Sequence, residues 1–174
     1  QFGKSASSYD LQILRFFMLS AHYRSPLNFS AELMEASRNG LERIVDAAEN
    51  LKFLSGNAKT EDMTEKEKTD LEKTEDFVKA FEAAMDDDFN TADAIASIFD
   101  LVKYCNTTAD GNSSREYTEK LLSVLQKLTD VMGLIVNKKE EILDEDIEAL
   151  IEERQAARKA KDFARADQIR DELA

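Results

Sequence analysis

The chain has 174 residues, a length that suits one domain or one domain and part of a second. Its 36 acidic and 23 basic residues give a formal charge of −13. Such a molecule as a whole repels phosphate, so any nucleic-acid surface must be a local basic patch. The apolar runs are too short for a membrane span, the single cysteine excludes an internal disulfide, and no secretory leader is recognisable. These exclusions lead us to expect a cytoplasmic protein. Because glycine and proline are scarce, we also expect an all-α fold.

The first predicted helix follows an irregular segment. Residues 1–8 show no hydrophobic period and are interpreted as a tail or a cloning remnant. From Tyr9 the pattern predicts a helix that is apolar on nearly all sides, which is typical of a helix buried on most of its surface. Ser25 and Pro26 are predicted to end it, because proline disfavours helix in the residue before it.

A second helix is predicted between Ser30 and the Ser-Gly-Asn run at residues 55–57. Ser30 is the predicted N-cap, since its hydroxyl can accept a hydrogen bond from a free backbone N–H. Gly40 lies inside this helix, where it costs ~1 kcal/mol relative to alanine, and we expect it to permit the close approach of another helix. The predicted core face comprises Leu33, Leu41, Ile44, Ala48 and Leu51.

Three more helices are predicted between the polar linker that ends near Met63 and Gly133. Thr64 with Glu67, and Ser113 with Glu116, form predicted capping boxes for the third and fifth helices. The predicted core residues are Leu71, Val78, Phe81 and Met85, then Ile95, Phe99 and Val102, then Leu121, Leu125, Leu128 and Met132. The fold class is thus all-α: a helical bundle of about five helices over residues 9–136, followed by a short helical hairpin over residues 144–174.

Basic side chains are concentrated in that predicted hairpin. Between residues 154 and 170 the local charge is +4, in a chain whose total is −13. Arginine donates bidentate hydrogen bonds to phosphate and stacks on unpaired bases. The pattern therefore indicates RNA contacts, with a solvated helix face held by internal ion pairs as the alternative. The residues of this basic strip are Arg154, Arg158, Lys159, Lys161, Arg165 and Arg170.

Few residues offer catalytic or metal-binding chemistry. Asp86, Asp87 and Asp88 lack the alternating ligands and central glycine of a calcium loop, and are interpreted with Asn90 as the start of the fourth helix. His22 is the only histidine and is interpreted as a structural residue. Cys105 lies on the apolar side of its helix and is interpreted as core. We predict no catalytic residue and no metal ligand.

Three segments resemble, in family order, the bacterial cysteinyl-tRNA synthetases. The first covers residues 10–30 and has Ile13-Leu14-Arg15 at the place that names the DALR helical domain. The second is Met-Asp-Asp-Asp-Phe-Asn-Thr at residues 85–91, and the third covers residues 151–171. Three long matches in one order are more specific than any single short motif.

This resemblance implies a C-terminal fragment of the ligase that joins cysteine to its tRNA with ATP. In that family a separate catalytic domain uses ATP and holds a zinc ion, so no cofactor and no chemistry are implied for this chain. The bundle, including the DALR domain, would hold the tRNA-binding parts at a distance from the catalytic domain. Residues 144–174 would begin a truncated anticodon-binding module whose basic strip contacts cysteine tRNA. The implied partners are this tRNA and the catalytic domain of the same longer chain.

Two other readings of the sequence remain open. Residues 162–171 also faintly resemble the UVR motif of excision-repair proteins, a helical hairpin that pairs with a protein partner. Nuclease-resistant binding of a protein through the hairpin would favour that reading. The third reading is a purely structural bundle, whose apolar first helix docks on the catalytic domain and self-associates when that domain is absent.

Overall fold

The structure, a computed structural model, describes residues 8–134 and the single residues 136, 153, 154 and 165, with side chains from residue 11 onward. The secondary structure of these residues is helical without strands, which confirms the all-α prediction. The chain divides into two compact units, Gln1–Val136 and Asn137–Ala174. Except for residues 153, 154 and 165, the predicted hairpin lies outside the described residues. The helices are α1 (Ser8–Leu19), α2 (Ala31–Gly56), α3 (Glu65–Glu72), α4 (Thr74–Asp86), α5 (Thr91–Thr108) and α6 (Arg115–Val131).

Helix α2 lies at the centre of the first unit, where it contacts α1, α5 and α6. Helix α4 packs against α5 and α6 on the other side of the core. The contacts follow from sequence, because apolar residues three and four apart share one helix face. Full burial of one such aliphatic side chain contributes ~1.5–3 kcal/mol. The fully buried aliphatic residues are Ile13, Leu41, Ile44, Leu51, Ile98, Leu101, Leu121, Leu125, Leu128 and Leu134.

Helix α1 ends at Leu19, well before the predicted break at Pro26. The hydroxyl of Ser20 donates to the carbonyl of Phe17 at 2.7 Å, which occupies an acceptor that a further helical turn would use. A turn follows, closed by the Ser25 amide donating to the carbonyl of His22 at 2.8 Å. His22 therefore lies outside the helix, and the predicted helix end was wrong.

The predicted third helix is divided at Lys73 into α3 and α4. Two side-chain hydroxyls donate to backbone carbonyls at this point: Tyr104 to Asp70 at 2.7 Å and Thr74 to Leu71 at 2.6 Å. Such bonds interrupt the regular ladder and bend or break a helix. The described residues consequently form six helices where about five were predicted.

Most predicted helix ends are confirmed. Ser30 accepts from the Leu33 amide at 3.2 Å, and Gly133 closes α6 with a left-handed φ of +64°. The second capping box was wrong, because Ser114 rather than Ser113 is the N-cap of α6. Glu116 is not free to complete the box, since its carboxylate accepts from the amide of Met63 at 3.3 Å.

The carboxylate of Glu67 joins the beginnings of α3 and α6. It accepts from the amide and hydroxyl of Thr64 at 2.8 and 2.9 Å, which completes the predicted capping box. It also accepts from the amide and hydroxyl of Ser114 at 2.8 and 3.2 Å. Partial burial by itself raises the pKa of Glu67, but the hydrogen bonds from Ser114 and Thr64 outweigh it, so the pKa lies below its ordinary value.

We predict that Glu67→Gln lowers the free energy of unfolding by about 1–2 kcal/mol at neutral pH, because an amide nitrogen would face groups that are themselves donors. Chemical denaturation measures this. Since folding lowers the pKa of Glu67, its stabilisation is present at neutral pH and is lost as the pH falls through the folded-state pKa. The difference between wild type and variant should therefore narrow below about pH 4.

Glu65→Gln is the matched control for this test, since Glu65 lies in the same first turn but is almost fully exposed and pairs with Lys68 at 2.7 Å. Exposed pairs of this kind contribute little to stability. Equal effects of the two substitutions, or a pH-independent effect of Glu67→Gln, would contradict the role given to Glu67.

The ring of Phe16 on α1 packs closely against α2 at Gly40. A Cβ atom there would lie 2.9 Å from Cε1 of Phe16 and 3.6 Å from Cζ of Phe99. Phe16 is buried and its ring meets that of Phe99 edge to face, with centroids 6.2 Å apart. The expectation that Gly40 permits a close helix neighbour is therefore confirmed.

We predict opposite effects for alanine at the two glycines of α2. Gly56→Ala should stabilise by up to about 1 kcal/mol, because alanine favours helix and a Cβ at Gly56 meets nothing within 4 Å. Gly40→Ala should destabilise by about 1 kcal/mol, because it displaces the wedged ring of Phe16. Denaturant unfolding of both variants checks this, and equal stabilisation by both would show that Gly40 has no packing role.

Candidate nucleic-acid interface

Two residues of the predicted basic strip, Arg154 and Arg165, are described. Nε and Nη2 of Arg165 each lie 2.9 Å from Oε1 of Glu153, an exposed ion pair of the kind that the alternative reading expects. Arg154 is half-buried, and its Nε has no hydrogen-bond partner in the part of the chain that the structure describes. The remaining members lie outside the described residues: Arg158, Lys159, Lys161 and Arg170.

A groove of about 730 Å³, open to solvent, lies where the end of α1 and the following loop meet α2 and α5. Aromatic rings line it, those of Phe16, Phe17 and Phe99. Among the described residues, none that lines the groove is acidic. Its polar lining includes Asn28, Asn39 and Arg43. The groove is thus aromatic and carries one positive charge.

The guanidinium of Arg43 is stacked over the ring of Phe99, with Cζ 4.9 Å from the ring centroid. This cation–π contact stabilises an exposed pair by ~0.5–1 kcal/mol and holds the guanidinium over the ring. Within residues 11–134 no carboxylate pairs with Arg43. The side chain is exposed, so its charge and its second face are available to a ligand.

One residue of this groove, Leu33, was predicted as core, and that prediction was wrong, because Leu33 is 44 % exposed on a groove wall. Phe99 also lines the groove, but it is half-buried and packs against the core as predicted. A signal for the groove exists in the sequence: Leu33, Ala36, Gly40 and Arg43 recur every three or four residues and so form one stripe of α2. Two small residues between two large ones leave a depression on such a stripe.

A second exposed cluster joins the α1–α2 loop to the α4–α5 turn. The hydroxyl of Tyr23 donates to Asp88 at 2.9 Å, which raises the pKa of Tyr23, and Arg24 pairs with the same carboxylate at 3.0 Å. Asp88 and the exposed Phe89 both have positive φ, 54° and 55°, a conformation that costs about 1–2 kcal/mol per non-glycine residue. Three adjacent aspartates make this surface repel phosphate.

The acidic run therefore only partly matches its interpretation. Asn90 is the N-cap of α5 and accepts from the amide of Asp93 at 3.2 Å, as expected. Asp88 does not serve the helix start, because its carboxylate is bound to Tyr23 and Arg24 instead. These contacts direct the Asp88 carboxylate to the α1–α2 loop, at a residue whose φ is positive.

The described residues offer little metal-binding chemistry. Among them no three His, Cys, Asp or Glu side chains are grouped as metal ligands. Cys105 is buried, and burial raises the pKa of its thiol to about 12, so the thiolate that binds metal is not formed. In the same part of the chain, every helix is too short or too polar to cross a membrane.

We predict that the folded chain resists thiol reagents at about pH 7.5, because the Cys105 thiol is buried and protonated. Cys105 is the only cysteine, so labelling with a chromogenic disulfide reagent reports on this site alone. Labelling should become rapid and stoichiometric in guanidinium chloride. Rapid labelling of the native chain would contradict the core position.

Two family models match the chain: the DALR domain over residues 80–137 and the cysteinyl-tRNA ligase anticodon binding domain over residues 141–174. Ile13-Leu14-Arg15 lies outside the DALR match. Three relatives bear the name cysteine–tRNA ligase. They come from Lachnospira eligens (60 % identical, 95 % of this chain, 35 % of the relative), Lachnoclostridium phytofermentans (53 %, 96 %, 37 %) and Clostridioides difficile (47 %, 95 %, 36 %).

The helical bundle and the two matched domains define a class of protein, the helical, anticodon-binding parts of tRNA ligases. Identity of 47–60 % over nearly the whole chain narrows the class, and the chain belongs to the cysteinyl-tRNA ligase family. It spans about a third of the length of the curated relatives it matches.

Proposed function

We propose that this chain binds and positions cysteine tRNA for a cysteine–tRNA ligase and does no chemistry itself. The observation that carries the proposal is the match of residues 141–174 to the anticodon binding domain, over the same residues that contain the basic strip. A local charge of +4 in a chain of −13 attracts phosphate to that strip and away from the acidic surfaces.

The proposed contacts are made by the six residues of the basic strip. Arginines form bidentate hydrogen bonds with phosphate and stack on unpaired bases, whereas lysines contribute mainly charge. The Arg165–Glu153 pair is compatible with this role, because an exposed ion pair contributes only ~0–1 kcal/mol and RNA phosphate competes with it. Phosphate contacts would position the tRNA, and contacts to base edges would select it.

In this proposal the bundle holds the anticodon-binding unit at a distance from the catalytic domain, which is the chain's other partner. Joining cysteine to tRNA, with ATP and zinc, belongs to the part of the ligase that the chain does not span. The cytoplasmic location expected from the sequence is part of the same proposal, because the proposed partner is a tRNA.

We expect the chain to bind a transcript of cysteine tRNA with an affinity that falls as salt rises, with a log–log slope of about −0.7 to −0.9 for each phosphate neutralised. Arg158→Ala combined with Arg165→Ala should weaken binding about tenfold or more at low salt and reduce the slope by about 1.4–1.8. Fluorescence anisotropy across a salt series measures both quantities. An anticodon-swapped transcript shows whether bases are read as well.

Lys66→Ala combined with Lys127→Ala is the matched control, since it removes two exposed positive charges from the bundle instead of the strip. This double variant should bind nearly as wild type. An equal loss of tRNA affinity in the two double variants would show that the basic strip contributes only general electrostatic attraction, and would contradict specific contacts by its residues. Absence of binding by the wild-type chain at low salt would contradict the proposed function.

A further inference from the structure

We propose that the groove between α1, α2 and α5 binds one unstacked nucleotide of the RNA, with its base stacked on Arg43 and its phosphate paired with the same guanidinium. This proposal rests on the proposed function for the identity of the RNA. It places a second RNA contact on the bundle, apart from the residues of the basic strip.

Two of the three members of the proposed stack, the ring of Phe99 and the guanidinium of Arg43, are already in contact in the structure. One face of the Arg43 guanidinium lies over the ring of Phe99, 4.9 Å from its centroid, and that ring is held in turn by Phe16. Proteins recognise splayed RNA bases by stacking them on aromatic rings or on arginine planes. Because the ring of Phe99 already holds the Arg43 guanidinium in place, a base that stacks on this guanidinium immobilises little that was free.

Charge selects a nucleotide over a purely apolar occupant. In a chain of −13, where a third of all residues are charged, the described residues that line this groove include an arginine and no carboxylate. Arg43 also has no carboxylate partner elsewhere in residues 11–134. An anionic group therefore meets an unpaired cation here without the repulsion that acts over most of the surface.

The shape and polar lining also suit a base. A volume of about 730 Å³ is within the range of small-molecule sites. Gly40 lets the ring of Phe16 pack directly against α2 and meet the ring of Phe99, so that both rings line the groove. Asn28 and Asn39, which carry side-chain amides, are among the lining residues. Amides offer both donors and acceptors, which is what the hydrogen-bonding edge of a base requires.

Ala36→Trp tests the groove by filling it, because Ala36 is an exposed lining residue whose replacement changes no charge. Arg43→Ala removes the stacked cation, and Arg43→Lys keeps the charge but not the planar surface. We expect each of Ala36→Trp and Arg43→Ala to weaken binding of the cysteine tRNA transcript more than about fivefold, in line with the loss of one stacked base. Arg43→Lys should recover only part of the loss.

Each control makes the same kind of substitution at a position outside the groove. Ala80→Trp adds the same large ring at an exposed position of α4, and Arg38→Ala removes a positive charge from the same helix. Both should bind within about twofold of wild type. Circular dichroism and thermal melts confirm that all variants are folded.

A second readout separates failure of the groove from failure of the proposed function. Cytidine and adenosine monophosphates, titrated into the full isotope-labelled chain, should shift the amide signals around Gly40 and Arg43, and Ala36→Trp should abolish those shifts. If the wild type binds tRNA but the groove variants bind equally well, the groove proposal is overturned while the proposed function stands. If the monophosphates shift no groove signal, the groove proposal is overturned whether or not tRNA binds.

Discussion

The close approach of α1 to α2 at Gly40 is the constraint on which the candidate surface depends. Without a side chain at Gly40, the ring of Phe16 enters the space above α2 and meets Phe99 of α5. Three helices are thereby fixed by one contact. The groove lies beside this contact, and the guanidinium of Arg43 lies over the ring of Phe99 on its wall. The packing of these helices and the proposed nucleotide contact both depend on the absence of a Cβ atom at Gly40.

Polar contacts determine how the loop after α2 is attached to the start of α6. The first two amides of α6, those of Arg115 and Glu116, donate to the carbonyls of Thr60 and Glu61 at 2.9 and 3.1 Å. Together with the carboxylate of Glu67, these bonds satisfy backbone donors that a helix start leaves free. The loop after α2 is therefore held against the start of α6. In the proposed function, these contacts would help the bundle to hold the RNA contacts at a distance from the catalytic domain.

The sequence predicted what depends on local chemistry. Helical period identified the buried face of α2, and the hydroxyl of Ser30 and the capping box of Thr64 were confirmed because caps involve residues only three apart. Contacts between distant residues were not predictable in this way. Tyr104 breaks a helix 34 residues earlier by binding the carbonyl of Asp70. Leu33 has the same spacing as core residues, and only the position of α1 leaves it on a groove wall.

The proposed RNA binding by a chain of −13 requires cations that are not neutralised by carboxylates, and the described surfaces contain both paired and unpaired arginines. In the acidic cluster around Asp88 the nearby arginine is already paired. Arg24 lies 3.0 Å from the Asp88 carboxylate, which neutralises the charge that would otherwise attract phosphate. Arg43 is different, because its neighbour is a ring and not a carboxylate. A ring orients a guanidinium without neutralising it. For RNA recognition, what an arginine is packed against therefore matters more than the net charge of the chain, and this distinction is not visible in composition.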